Sequence, residues 1–225
     1  MDITPGPLGF FSSSPSIQAG VLLAELIGTT TGDVVVMPTA AAYERPQDAV
    51  ARIAELLEPF GAVVQPVMVL SRTDAERNEF AETIRSARCI CIAGGSPLHL
   101  RSVLKDSTVL AALVAAWHDG AVIIGFDGGA VVLSDPMVDP RGGAFTVGLG
   151  LVRDLAIVVD FSGALTGSLE RTLSLAQEEI AVVAIGPDGG LVRDQSGVWL
   201  SEGAVTVFSD SAVVGMSALA GKPVG

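Results

Sequence analysis

Two spacings of apolar residues alternate along this chain. Short, nearly continuous apolar runs occur at Leu8 to Phe11 (LGFF), Asp33 to Thr39 (DVVVMPT), Arg88 to Gly95 (RCICIAGG) and Ala121 to Gly125 (AVIIG). They predict strands buried on both faces. Between them lie segments with apolar positions three and four apart, which predict amphipathic helices. SPSIQAGVLLAELI is read as one, with Ser14 as N-cap and Pro15 in its first turn. RPQDAVARIAELLEPFG repeats apolar positions from Val50 to Leu57 and stops at Gly61. TDAERNEFAETIRSA carries Thr73 and Glu76 at capping-box spacing, and STVLAALVAAWHDG leads into the strand at Ala121. AVVQPVMVL is a further strand, which Pro66 assigns to an edge or a bulge.

This βαβα rhythm predicts an α/β fold, a doubly wound and mostly parallel sheet with helices on both faces. Asp33–Met37, Cys89–Ile92, Ala121–Ile124 and Ala156–Val159 are expected to be buried neighbours in that sheet. SDPMVDPRGGAFTVGLG is loop-rich, and Gly163 to Glu179 reads as a helix. The stretch IAVVAIGPDGGLVRDQSGVWLSEGAVTVFSD predicts a small β meander at one sheet edge, followed by an irregular tail over 211–225. No linker or repeat interrupts residues 1–225, so one α/β domain is expected.

Composition narrows the function classes. Of 225 residues 49% are hydrophobic and only 5% aromatic, which suits a core of Ala, Val, Leu and Ile. With 25 acidic against 13 basic residues the net charge is −12, which disfavours a nucleic-acid partner. No apolar run approaches the roughly 20 residues that span a bilayer, and MDITPGPLGFF lacks the basic start of a secretory signal. A cytoplasmic protein with no membrane partner is expected. Cys89 and Cys91, the only cysteines, read as small buried hydrophobes.

The chemistry concentrates in AVIIGFDGGAV at residues 121–131. A strand runs into Gly125, then Phe126, Asp127 and Gly128, and a small-residue helix start. That is the pattern of a nucleophile elbow with Asp127 at its apex. Three stretches occur in order around it: VVVMPTAAAYERP after the second strand, CIAGGSPLHL after the fourth, and GAVIIGFDGGAVVLSDPM across the elbow. GLGLVRDLAIVVDF and SEGAVTVFSD continue the same order. Together, over roughly residues 8–210, they resemble the cyanophycinase and dipeptidase E group of serine peptidases, family S51. The resemblance implies the flavodoxin-like three-layer sandwich of class I glutamine amidotransferases.

It also implies which positions would be functional. The family's elbow reads G-T-S-A-G-A with Ser as nucleophile, and Asp127 holds that place here. The family His, in a D-Q-H-F-like segment, falls at Asp160 to Gly163, so Ser162 or a neighbour stands where the base would be. A family acidic residue falls around Gly186 to Asp188. The oxyanion hole would come from the Gly94–Gly95 loop and the N–H of Gly128. Gly94, Gly95, Ser96, Gly128 and His99 are therefore the candidate binding residues.

Asp127 admits several readings. Attack on an amide by a carboxylate would give a mixed anhydride, with no acid to help the leaving group. Displacement at an alkyl carbon or phosphorus suits a carboxylate better, with His99 as the candidate base. His118, at a helix end, suits a solvated role. Asp127, Asp135, Asp139 and Asp160 are also the carboxylates a metal would need, although SDPMVDP reads more simply as turn chemistry. No metal or other cofactor is implied. A helix N-terminus is expected to keep Asp127 ionised, its carboxylate filling the oxyanion site. Two partner classes are expected, a small-molecule or peptide ligand at the elbow and a homodimer or hetero-assembly. Three functions follow: a degenerate S51 homologue that binds without serine-peptidase catalysis, a hydrolase using Asp127 as nucleophile or proton acceptor, and an interaction subunit.

Overall fold

The computed structural model describes residues 5–12, 15, 17–28 and 33–225. In chain order the first half holds β1 (Leu8–Phe11), α1 (Ile17–Gly28), β2 (Val34–Met37), α2 (Pro46–Leu57), β3 (Val64–Pro66), α3 (Arg72–Ala75), α4 (Asn78–Ser86), β4 (Cys89–Ile92), α5 (Pro97–Leu104) and α6 (Thr108–His118). The second half holds β5 (Val122–Phe126), α7 (Gly128–Val132), β6 (Ser134–Asp135), β7 (Met137–Val138), β8 (Phe145–Thr146), β9 (Val152–Arg153), β10 (Leu155–Val158), α8 (Gly167–Leu175), β11 (Ala181–Ile185), β12 (Gly190–Arg193), β13 (Trp199–Glu202), β14 (Val205–Ser209) and β15 (Ala212–Val214). The expected cap Ser14 lies outside the described residues, and Pro15 precedes α1 rather than entering its first turn.

Seven strands form the central sheet in the order β13-β12-β1-β5-β4-β2-β3. The five from β1 to β3 are parallel, while β12 runs antiparallel to β1 and β13 antiparallel to β12. The strand CICI illustrates why this layer is apolar on both sides. Cys89 and Cys91 point to one face with Val34, Val36, Val122 and Ile124, beneath α1 and α2. Ile90, Ile92 and Ile123 point to the other, toward α4 to α7. Both cysteines are free and buried. Pro66 sits on the edge strand β3, where its missing N–H costs no ladder bond.

Four expectations change. The strand read at Ala156–Val159 is not in the central sheet. It is β10, in a second sheet of order β10-β11-β14-β15. The free side of β1 is taken by β12, and a strand buried on both faces carries no mark of which sheet it joins. Leu155 and Ile157 enter the main core, while Ala156 packs with Val182, Phe208 and Leu169 of α8. The C-terminal strands likewise divide, β12 and β13 extending the central sheet and β14 and β15 completing the second.

The charged helix is broken in two and capped earlier than expected. Ser71, not Thr73, is the N-cap of α3, and Asp74 completes the capping box. Asp74 Oδ2 takes the N–H groups of Leu70 and Ser71 and the Ser71 hydroxyl, which favours this register. Glu76 is drawn instead to the hydroxyl and N–H of Thr108 at the start of α6. The helix expected over 163–179 spans only α8, because the hydroxyl of Thr166 caps it by accepting from Leu169. Among the described residues no helix is long and apolar enough to cross a membrane.

Candidate functional site

Strand β5, the middle strand of the seven, delivers Asp127 to the C-terminal end of the parallel strands. There the backbone turns sharply into α7, with Asp127 at φ 50° and ψ −121°. A non-glycine residue in that region stores roughly 1–3 kcal/mol of strain. The turn is tied down on both sides. The N–H of Asp127 donates to the Phe11 carbonyl at 2.9 Å, and its own carbonyl accepts from Ala130 and Val131 at 2.8 and 3.1 Å.

Close backbone approach explains the glycines. A Cβ on Gly128 would lie 2.1 Å from the Gly95 carbonyl oxygen, and one on Gly129 2.3 Å from that of Ile92. A Cβ on Gly94 would lie 2.8 Å from both Cβ and Oδ2 of Asp127. The loop after β4 is thus pressed against the elbow, and Gly94, Gly95 and Gly128 surround Asp127. Gly95, at φ 132°, also lies against Ala40, whose carbonyl accepts the N–H of Ser96 at 2.9 Å.

Burial pushes the Asp127 carboxyl above its ordinary pKa, and the charges of Asp160 and Glu44 push it the same way. The N–H groups of Gly128 and Gly95 oppose the rise, but the side chain makes no capping hydrogen bond to α7. The pull of the helix N-terminus toward the ionised form is present but outweighed, so the shift runs upward. α7 has only five residues, and its end amides do not outweigh burial beside two other acids.

The other sequence candidates are placed as follows. Ser96 caps α5, its hydroxyl accepting the His99 N–H at 3.2 Å. His99 does not line the cavity at the elbow; its Nε2 lies 3.1 Å from the Leu70 carbonyl oxygen and its ring is edge-on to Tyr43 at 4.7 Å. A carbonyl can only accept, so Nε2 carries the proton. Ser162 is exposed in the loop after β10, two residues beyond Asp160. Asp135 accepts from the Gly148 N–H at 3.0 Å. Asp139 is bound by Arg141, which lowers its pKa to about 2. Asp188 is exposed in the turn before β12. Of the four carboxylates weighed for a metal, only Asp160 adds its charge at Asp127. No group of three or more His, Cys, Asp or Glu is placed to hold a metal among the described residues.

A cavity of about 660 Å³ opens beside the apex, walled by Phe126 and Asp127 and, from the other side, by Glu44, Arg52, Ile53 and Glu55. Three carboxylates thus face one guanidinium. Sequence reasoning missed Glu44, Arg52 and Glu55. The available signal was that segments following the C-terminal ends of parallel strands converge on one crevice. Ser12, at the end of β1, is buried and donates its hydroxyl to the Pro187 carbonyl. A second cavity of about 590 Å³ opens at the opposite end of the strands, and no elbow residue lines it.

The model of peptidase family S51 matches residues 11–143, from the last residue of β1 through the Gly94–Gly95 loop and the elbow. Among solved structures the chain is similar to a peptidase from an acI-B1 Actinobacterium, at 22% identity over 95% of each chain with a TM-score of 0.80. It is also similar to a candidate peptidase E protein from Listeria monocytogenes EGD-e, at 19% identity over 91% of this chain and 98% of that one, with a TM-score of 0.62. No curated protein matches it. Those similarities are to the fold alone, a sheet-centred sandwich of the class I glutamine amidotransferase type. With the family match spanning the elbow and more than half of the sequence, this chain belongs to peptidase family S51.

Proposed function

We propose that this chain is a catalytically degenerate S51 homologue, without serine-peptidase activity, that keeps the cavity beside its elbow to bind a small molecule or peptide. The observation that carries the reading is the apex itself. An acid, Asp127, occupies the strained elbow position, and its own carboxylate faces the Gly95 and Gly128 amides that would otherwise hold an oxyanion. Neither histidine supplies a base there. His99 is committed to the Leu70 carbonyl, and His118 ends α6 at the other end of β5. The neighbouring Ser12 hydroxyl is committed to Pro187. The test is an assay of the purified chain on aspartyl dipeptides and cyanophycin-like polymer, with Asp127→Ala as control. No turnover is expected. Turnover by the wild type that the control lacks would overturn the reading. Small molecules that co-purify with the wild type and are detected by native mass spectrometry would report the retained pocket.

One observation favours a second reading, a hydrolase of the same fold using Asp127 as nucleophile or proton acceptor. A carboxyl with a raised pKa in a strained turn beside a cavity is suited to proton transfer. Turnover of an ester or halide substrate that Asp127→Asn abolishes would select it.

A further inference from the structure

The central sheet ends differently on its two sides. At one end β3 is blunted by Pro66, which has no N–H to offer another strand. At the other, β13 has no strand beyond it among the described residues and contains neither Pro nor Lys. The Asp194 N–H donates to the Val198 carbonyl at 2.9 Å, with Arg193 opposite Trp199 and Val192 opposite Leu200 in the ladder. The alternation of an antiparallel ladder then turns the N–H and C=O groups of Leu200 and Glu202 toward β12, and those of Trp199 and Ser201 outward. The edge of the second sheet offers less. In β15 the closing pair Ser209–Ala212 leaves only Val213 facing outward.

Side chains on this edge divide by face. Trp199 is 8% exposed and packs into the core, stacked on Phe10 at 6.1 Å, with Leu219 in the same cluster. Leu200 lies on the opposite face, sharing a cavity wall with Leu22 and Leu26 of α1. It is 41% exposed, Val198 on the same face is 52% exposed, and α1 exposes Val21 at 53%. Apolar side chains thus flank an open row of main-chain donors and acceptors.

We infer that β13 is a homodimer interface, at which two copies pair their β13 strands antiparallel across a two-fold axis through Leu200. That axis sets Trp199 against the partner's Ser201 and Ser201 against the partner's Trp199. Each pair exchanges two hydrogen bonds between groups that otherwise face solvent. The two Leu200 side chains meet at a non-hydrogen-bonded position, Cα atoms about 4.5 Å apart. Glu202, the only charged residue of β13, lies opposite the partner's Val198. No like charges face each other, as a second copy of a chain with net charge −12 requires. Self-pairing at β15 would make only one such exchange, through Val213, which is why the second copy is assigned to β13.

The test is the mass of the purified chain by light scattering and sedimentation, with variants that read the register. The wild type is expected at twice the chain mass, with the dimer fraction rising as salt screens the net charge. Leu200→Lys would place two ammonium groups at the axis and is expected to give a monomer with unchanged circular dichroism. Leu200→Cys is expected to form an inter-chain disulfide under mild oxidation, and Val198→Cys is not. Cys89 and Cys91 are buried and do not compete. A monomeric wild type would mean the edge serves another chain or none, and would overturn the inference. So would a dimer that survives Leu200→Lys, or cross-linking through Val198→Cys in place of Leu200→Cys. Should Leu200→Lys unfold, the two cysteine variants decide alone.

Discussion

Replacing Asp127 by Asn isolates the charge at the elbow, because Asn has nearly the same shape and tolerates positive φ. The folded state disfavours the ionised carboxyl through burial and through Asp160 and Glu44, with the Gly128 and Gly95 amides opposing. The sign follows by linkage. An acid whose folded pKa is raised contributes stability below its unfolded pKa, and that contribution is lost as pH rises through the folded value. At pH 7 ionised Asp127 therefore subtracts from stability, and Asp127→Asn should be the more stable form. The site is open to the cavity, so each like-charge pair is worth only about 0.2–1 kcal/mol after screening. With two such neighbours and two opposing amides, a net gain of about 1 kcal/mol is expected. For a chain of this size that raises the midpoint by about 2–4 °C. Thermal melts at pH 7 and near pH 4 provide the assay, and the gain should shrink as pH falls toward the unfolded carboxyl value of about 3.9. Asp160→Asn should give part of the same gain, and the double variant less than the sum, since their mutual repulsion is removed only once. An equal or lower midpoint for Asp127→Asn at pH 7, or a gain that persists at pH 4, would refute the reasoning.

Other positions give independent outcomes. Gly128→Ala forces a Cβ to within 2.1 Å of the Gly95 carbonyl, backbone against backbone, and should lower stability by about 3 kcal/mol in urea unfolding. Thr39 is fully buried and its Oγ1 has no hydrogen-bond partner among the described residues, so Thr39→Val should raise the melting midpoint through a gain of about 1 kcal/mol. Ser71→Ala removes the α3 cap and should cost about 1 kcal/mol at pH 7. Asp74 is held below its ordinary pKa first by the Ser71 hydroxyl, so that contribution is lost as pH falls through the folded value, and the Ser71→Ala deficit should narrow in acid melts.

Much of this was legible in the sequence because it is carried by local pattern. Continuous apolar runs marked β1, β2, β4 and β5, Pro66 marked an edge, and Gly125, Gly128 and the Gly94–Gly95 pair marked where backbones meet. What was not legible depends on distant neighbours. Leu155–Val158 has the same apolar character as the central strands and joins another sheet because β12 already occupies the side of β1. The Ser71 and Thr73 caps are equivalent in spacing, and only the amide of Leu70 and the position of Thr108 decide between them. The direction of the Asp127 pKa shift was hidden for the same reason. A helix start is visible in the sequence, whereas Asp160, thirty-three residues later, and Glu44, eighty-three earlier, act on it only in the fold.

The elbow therefore separates two things that the motif presents together. Its geometry is fixed by glycines whose absent side chains let the β4 loop and the start of α7 touch main chain to main chain, at Gly128 and Gly129. Neither contact depends on what the apex side chain is. An apex substitution can thus remove a nucleophile while leaving the strained turn, the facing amides and the cavity in place. The converse does not hold, because a Cβ at Gly128 or Gly129 would drive main chain into main chain and take the amides away from the apex with it. Retention of the turn is accordingly weak support for retained chemistry. The discriminating signal lies in the groups facing the apex. Here these are two carboxylates, whose charges add to burial in raising the pKa of the apex acid, and two amides that oppose the rise.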